Sequence, residues 1–171
     1  MTVKITLCKN NQLGLLRDIS IETYRDTFSE SNSEALMLQY FDDALTPQKL
    51  SQEFNVVGSH FYFIYLGNEV AGFLKVNEGD AQSDQVAENS LEVERFYIRK
   101  QYLRNGLGKK LMQFAYQLAE QLNKSSMWLG VWEGNLAALA FYKTQGFYKI
   151  GEHPFDMAGD IQTDLLLKRD V

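Results

Sequence analysis

Tyr102-Leu103-Arg104-Asn105-Gly106-Leu107-Gly108-Lys109-Lys110-Leu111-Met112 is the stretch that decides the fold. It lies between an apolar run with strand character, Leu91 to Ile98, and a long helical pattern, Leu107 to Leu122. Glycines spaced G-x-G at a strand-to-helix junction let backbone N–H groups converge on one point, which is also the positive end of the helix dipole. Such a point is a socket for a phosphate or pyrophosphate, although an ordinary tight turn into a helix has the same spacing. It is not a dinucleotide fingerprint, because the third glycine and a suitable later acidic residue are missing. It is not a Walker loop, because Gly108-Lys109-Lys110 lacks the hydroxyl residue that holds Mg²⁺. What remains is a pyrophosphate socket that requires no metal. Arg104 and Lys109 can add charge to it, or serve as solvated helix surface.

Outward from this junction the chain alternates strand and helix signals. Upstream, Val3 to Cys8 reads as a strand and Asn11 to Thr27 as a helix. Ser33-Glu34 starts a second helix reaching about Phe41, and Thr46-Pro47 starts a third with an N-cap and a proline in its first turn. Two β-rich runs, His60 to Leu66 and Val70 to Val76, flank Gly67-Asn68 and predict a hairpin. Asn77 to Ser90 is polar and reads as a loop. Downstream, Met127 to Trp132 is a short apolar run of the kind buried on both faces. Asn135 caps a helix that ends near Gly146, and Phe147 to Gly151 and Ile161 to Lys168 close the chain as strands. The expectation is a mixed α/β fold with a mostly antiparallel sheet. Leu91 to Trp132 should form a parallel strand–helix–strand crossover.

Composition bounds the reading. The chain has 171 residues, 45% of them apolar, and only two prolines, which suits one domain over residues 1–171. A net charge of −5 argues against a nucleic-acid partner and is compatible with a cationic substrate. No run approaches membrane-spanning length, and the N-terminus begins as a strand, so no membrane association is expected. The single cysteine, Cys8, excludes an internal disulfide framework and fits a reducing cytoplasm. No His, Cys and Asp cluster has metal spacing: His60 and His153 stand far apart, and His153 beside Pro154 reads as a loop residue. The aromatics of His60 to Tyr65 and the terminal strand are compatible with a homodimer, and equally with a filled core.

A second constellation is Asn135 to Phe147, in which Asn135, Ala138 and Tyr142 share a helix face. Taken alone, it is an N-cap and an amphipathic core aromatic. Together with the Gly106/Gly108 loop and Glu92-Val93-Glu94-Arg95-Phe96-Tyr97-Ile98, it resembles the GNAT superfamily of acyl-CoA-dependent N-acetyltransferases. The element order fits throughout. Where that family usually has Gln or Arg three residues before the first glycine, this chain has Leu103, and Arg104 is the compensating candidate. Thr23 to Phe28, Asn32, His60 to Phe63, Ala71 to Asn77, Ala81-Gln82 and Gly159 to Asp164 look like bacterial polyamine (spermidine/spermine) acetyltransferases of that superfamily.

The resemblance implies transfer of an acetyl group from acetyl-CoA to a primary amine by direct attack, with no metal. It implies cofactor contacts at Phe96, Tyr97, Ile98, Arg104, Asn105, Gly106, Leu107, Gly108, Lys109, Asn135 and Tyr142. Tyr142 would protonate the departing thiolate. An amine with a lysine-like pKa costs roughly 4–5 kcal/mol to deprotonate at pH 7, so a base or desolvation must help. Glu92 and Glu94, on one strand face by alternation, are the candidates, acting through a water or standing as plain sheet-edge carboxylates. Glu30, Glu34, Asp80 and Asp84 are candidates for holding a polycation, or solvated loop charge. The competing expectations are a different amine acceptor (a protein N-terminus, a lysine, an amino acid or an aminoglycoside) and a non-catalytic acetyl-CoA sensor.

Overall fold

A computed structural model describes all residues, Met1–Val171. Its strands are β1 (Val3–Leu7), β2 (Ser59–Leu66), β3 (Glu69–Glu78), β4 (Ser90–Ile98), β5 (Ser126–Trp132), β6 (Tyr148–Met157) and β7 (Asp160–Asp170). Its helices are α1 (Leu13–Phe28), α2 (Glu34–Ala44), α3 (Pro47–Phe54), α4 (Leu107–Gln121) and α5 (Leu136–Thr144). The strands form one sheet in the order β1-β2-β3-β4-β5-β7-β6. Every pairing is antiparallel except β4 with β5, the parallel pair joined through α4 as the sequence predicts.

Alternation along the strands sorts side chains onto two faces. Leu91, Val93, Met127, Leu129 and Val131 pack with Leu111 of α4 in the largest core. The opposite face carries Phe61, Phe63 and Phe73 against Leu16 and Ile19 of α1. Beside it, Tyr24, Phe28, Met37, Phe41 and Met157 join α1, α2 and β6. Phe61 and Phe63 are therefore core residues and offer no surface to a partner. Burial pushes the Cys8 thiol up to about 11, so it is protonated at neutral pH and acts as a packing residue.

The long helix begins at Leu107, where its pattern starts, because Arg104 takes a left-handed φ of 67° and Gly106 one of 72°. Three local expectations change. Asn77 is not in a loop but in β3, fully buried, because its amide is consumed by carboxylates of β4. His153 lies inside β6, not in a loop. The final strands are longer than read, because β6 is an edge strand: it tolerates Pro154, which lacks an N–H, and a register shift between Lys149 and Gly151.

Candidate active site

The sheet splits at its centre. β4 and β5 pair only over Ser90–Glu92 and Ser126–Trp128, after which β5 follows β7 and leaves Val93–Ile98 without a partner on that side. The cause lies on the other edge of β4. Its register with β3 jumps from Lys75↔Arg95 to Val76↔Val93, so Glu94 is an extra residue, a bulge that bends and twists the strand. The bulge also reverses the alternation. Leu91 and Val93 face α4, then Phe96 and Ile98 do, while Arg95 and Tyr97 join Glu92 and Glu94 on the opposite face.

A cavity of about 660 Å³ runs through this split. At one end it is lined by Ile98, Leu103, Asn135, Ala138 and Tyr142, and at the other by Tyr24, Phe28, Tyr40, Phe155 and Asp164. At the first end the strand-to-helix turn is held open. Asn105 Nδ2 donates to the carbonyls of Tyr102 (3.0 Å) and Leu103 (3.3 Å), so this side chain fixes the turn. The N–H groups from Arg104 through Lys109 donate to no protein acceptor, and the first to do so is Lys110, to the Gly106 carbonyl at 3.2 Å. Arg104 and Lys109 are exposed and form no ion pair. A Cβ on Gly106 would meet nothing within 4 Å, whereas one on Gly108 would lie 3.5 Å from the Phe141 ring. Backbone donors, a helix N-terminus, free cations and open space fit the diphosphate of an acyl-CoA.

α5 supplies the next element. Asn135 Oδ1 accepts from the Ala138 N–H at 3.2 Å and starts the helix. Asn135→Ala is expected to cost about 1 kcal/mol of stability, measured by urea denaturation. Two turns further on, Tyr142 is 7% exposed, with the Phe96 and Phe147 rings 6.1 Å and 5.8 Å away. Burial, reinforced by Tyr97, raises its phenol above the ordinary value, so it is a proton donor throughout the physiological range.

The two carboxylates of β4 differ in state. Glu92 sits at the apex of the split and is 3% exposed. It accepts from Asn77 Nδ2 (2.9 Å), the Ser83 N–H (2.7 Å) and Ser83 Oγ. Burial raises its pKa and outweighs these bonds, which act in the other direction. Burial would raise Glu94 too, but Arg95 and Lys75 outweigh it and hold Glu94 below the usual range. Lys75 Nζ meets both Glu94 oxygens at 3.0 and 2.9 Å, and Arg95 grips Glu53 of α3 at 2.6 and 2.9 Å. Glu94 is thus spent in an ion network, while Glu92 is poised to take up a proton.

Glu30, Glu34, Asp80 and Asp84 do not line the cavity, and Glu34 pairs instead with Arg25 at 2.6 Å. The cavity-lining residues that sequence reading missed include Asp164 and His153, on adjacent strands in register, and Gly130 of β5. Burial raises the Asp164 carboxyl, opposed by His153. The signal for this group was a glycine inside the apolar run Met127 to Trp132.

Residues 16–147 match the family described as Acetyltransferase (GNAT). An uncharacterized N-acetyltransferase from the pepI 3′ region of Lactobacillus delbrueckii subsp. lactis is 42% identical over 167 residues, 98% of this chain and 96% of that protein. A spermine/spermidine N(1)-acetyltransferase of Bacillus subtilis (strain 168) is 28% identical over 157 residues, covering 91% and 94% of the two chains. Among solved structures, the PaiA N-acetyltransferase of Thermoplasma acidophilum in complex with coenzyme A aligns over 100% of both chains. Its TM-score is 0.81 and its sequence identity 18%.

Proposed function

The chain belongs to the GNAT acetyltransferase family, and we propose that it acetylates a polyamine such as spermidine or spermine, using acetyl-CoA. The observation that carries the acceptor class is the charge balance of the cavity wall. Arg95 is matched by Glu53 and Glu94, and Lys75 by Glu94. Asp164 has no ion pair and no hydrogen bond, and the walls around it are aromatic. Such a wall favours a cation with apolar segments; the one lining lysine, Lys100, lies between Ile98 and Leu103 at the other end of the cavity. The spermine/spermidine relative points the same way.

Bound acetyl-CoA supplies the activated acetyl group at the split. The turn at Gly106 holds its diphosphate, and the unpaired edge of β4 at Phe96, Tyr97 and Ile98 receives its amide-bearing arm. The amine enters from the α1/α2 side. Tyr24, Tyr40 and Phe155 strip water from it, which lowers the cost of the neutral amine. Glu92, through a water, takes up the proton. Glu94 keeps Asn77 and Lys75 in place, so that Asn77 presents Glu92 in one orientation. Tyr142 donates to the sulfur as it departs.

Because burial lifts the Glu92 pKa, its loss of base function begins at higher pH than for an ordinary carboxylate. The rate therefore falls on the acid side for two reasons, protonation of Glu92 and protonation of the acceptor. Glu92→Gln should make the acid limb of kcat/KM shallower and lower the pH 7 rate about 10- to 100-fold. An acid limb of unchanged slope assigns the proton to another group.

The deciding experiment is thiol release from acetyl-CoA with spermidine, spermine, diamines, lysine-bearing peptides, aminoglycosides and free amino acids. Highest kcat/KM with the polyamines is expected. Preference for an amino acid, an aminoglycoside or a peptide overturns the acceptor assignment. Acetyl-CoA binding without amine-dependent thiol release overturns catalysis in favour of a sensor.

A further inference from the structure

We propose that Asp164, His153 and the bare backbone of Gly130 form a subsite for a second ammonium group of the acceptor, the one that is not acetylated. This rests on the polyamine reading and goes further, since it makes a second positive charge a requirement for tight binding.

Gly130 stands in the middle of β5, where a glycine weakens a strand and marks a close approach by another group. Its neighbours Leu129 and Val131 are buried, yet Gly130 itself is exposed. It faces the same side as Trp128 and Trp132, the side that receives the acceptor. A Cβ there would stand 3.4 Å from Asp164 Oδ2 and 3.7 Å from His153 Nε2. The two groups therefore converge over a patch of main chain, and all three residues line the cavity.

Both groups offer acceptors. His153 Nδ1 lies 3.0 Å from the Pro154 carbonyl, which can only accept, so Nδ1 carries the proton and Nε2 presents a lone pair in the neutral ring. Asp164 forms neither an ion pair nor a hydrogen bond with the protein. The Asp164 carboxylate and, in the neutral ring, His153 Nε2 face one gap as acceptors, an arrangement that complements an N–H cation. Trp132 and Phe155, also on the cavity wall, add cation–π attraction.

The placement suits two charges on one acceptor. Glu92 pairs with Trp128, and Gly130 lies two residues further along β5, which is roughly 7 Å of strand. A propyl or butyl chain between nitrogens bridges such an offset, so one nitrogen can lie near Glu92 while the next lies over Gly130. A monoamine leaves this second position empty.

Steady-state kinetics with spermidine, putrescine and butylamine test the assignment. Asp164→Asn is expected to raise KM for spermidine and putrescine about 10- to 100-fold, with kcat, KM for butylamine and affinity for acetyl-CoA nearly unchanged. Asp164→Glu should recover part of the loss. Gly130→Ala, whose methyl occupies the gap, should raise KM for both polyamines about tenfold, and it serves as the test if Asp164→Asn does not fold. An unchanged spermidine KM in either folded variant overturns the subsite, as does an equal rise for butylamine. Wild-type protein that uses butylamine as efficiently as spermidine overturns the polyamine reading itself. Wild-type preference for spermidine that survives both substitutions removes only the subsite.

Discussion

Tyr142→Phe is expected to lower kcat about 10²- to 10³-fold while acetyl-CoA binds as before. The substitution removes one oxygen from a residue already packed by Phe96, Phe141 and Phe147, so the fold has no reason to change. The loss is bounded by chemistry. A thiol with a pKa near 8.5 leaves readily without help, and burial lifts the Tyr142 phenol well above that. Full proton transfer to sulfur is therefore uphill. In the proposed reaction Tyr142 works mainly as a hydrogen-bond donor to the sulfur as negative charge develops, in a dry setting where that bond is strong. The raised pKa carries a second expectation. The phenol keeps its proton until above the ordinary tyrosine range, so Tyr142 contributes no basic limb to kcat below that range. Single-turnover rates and equilibrium binding of acetyl-CoA separate the two effects. A Tyr142→Phe protein with wild-type kcat takes Tyr142 out of the reaction.

Gly106→Val should weaken acetyl-CoA binding about 100-fold or more. Gly106 holds φ 72° and ψ 11° at the N-cap of α4. An L-residue pays about 1–2 kcal/mol there, and a β-branched one more. Relaxing that strain turns the N–H groups of Arg104 to Lys109 away from their common focus. No protein atom lies near the new side chain, so the damage comes from the backbone and from filling the open space, not from an internal clash. Gly108 differs: it sits inside the helix, and a methyl there makes an ordinary contact with Phe141. Gly108→Ala is expected to cost less than about tenfold. Isothermal titration with acetyl-CoA, with a thermal melt as the fold control, reads both. If Gly106→Val binds as tightly as wild type, the diphosphate is held elsewhere.

Much of this was legible in the chain. The Gly106 turn, the long helix after it and the Asn135 cap follow from local rules, because a left-handed residue, a 3.6-residue stripe and an amide before a helix each act within a few residues. The proposed base was legible only as a pair. Glu92 and Glu94 share a strand face as alternation requires, but whether each is free depends on Lys75, Asn77 and Ser83, which come from β3 and the segment after it. The loop acids were misleading because local exposure says nothing about what a residue faces. Asp164 and His153 were invisible as a pair, being strand neighbours only once β6 and β7 zip together.

The sequence by itself determined the order of elements, the glycine turn before α4 and the tyrosine-bearing helix, since these rest on φ preferences, side-chain periodicity and capping over short spans. Tertiary structure alone decided the split between β4 and β5, the division of labour between the carboxylates and the acceptor wall. Those depend on a bulge set by strand register, and on charges brought together from distant segments, where burial and neighbours fix which group is neutralised and which stays available.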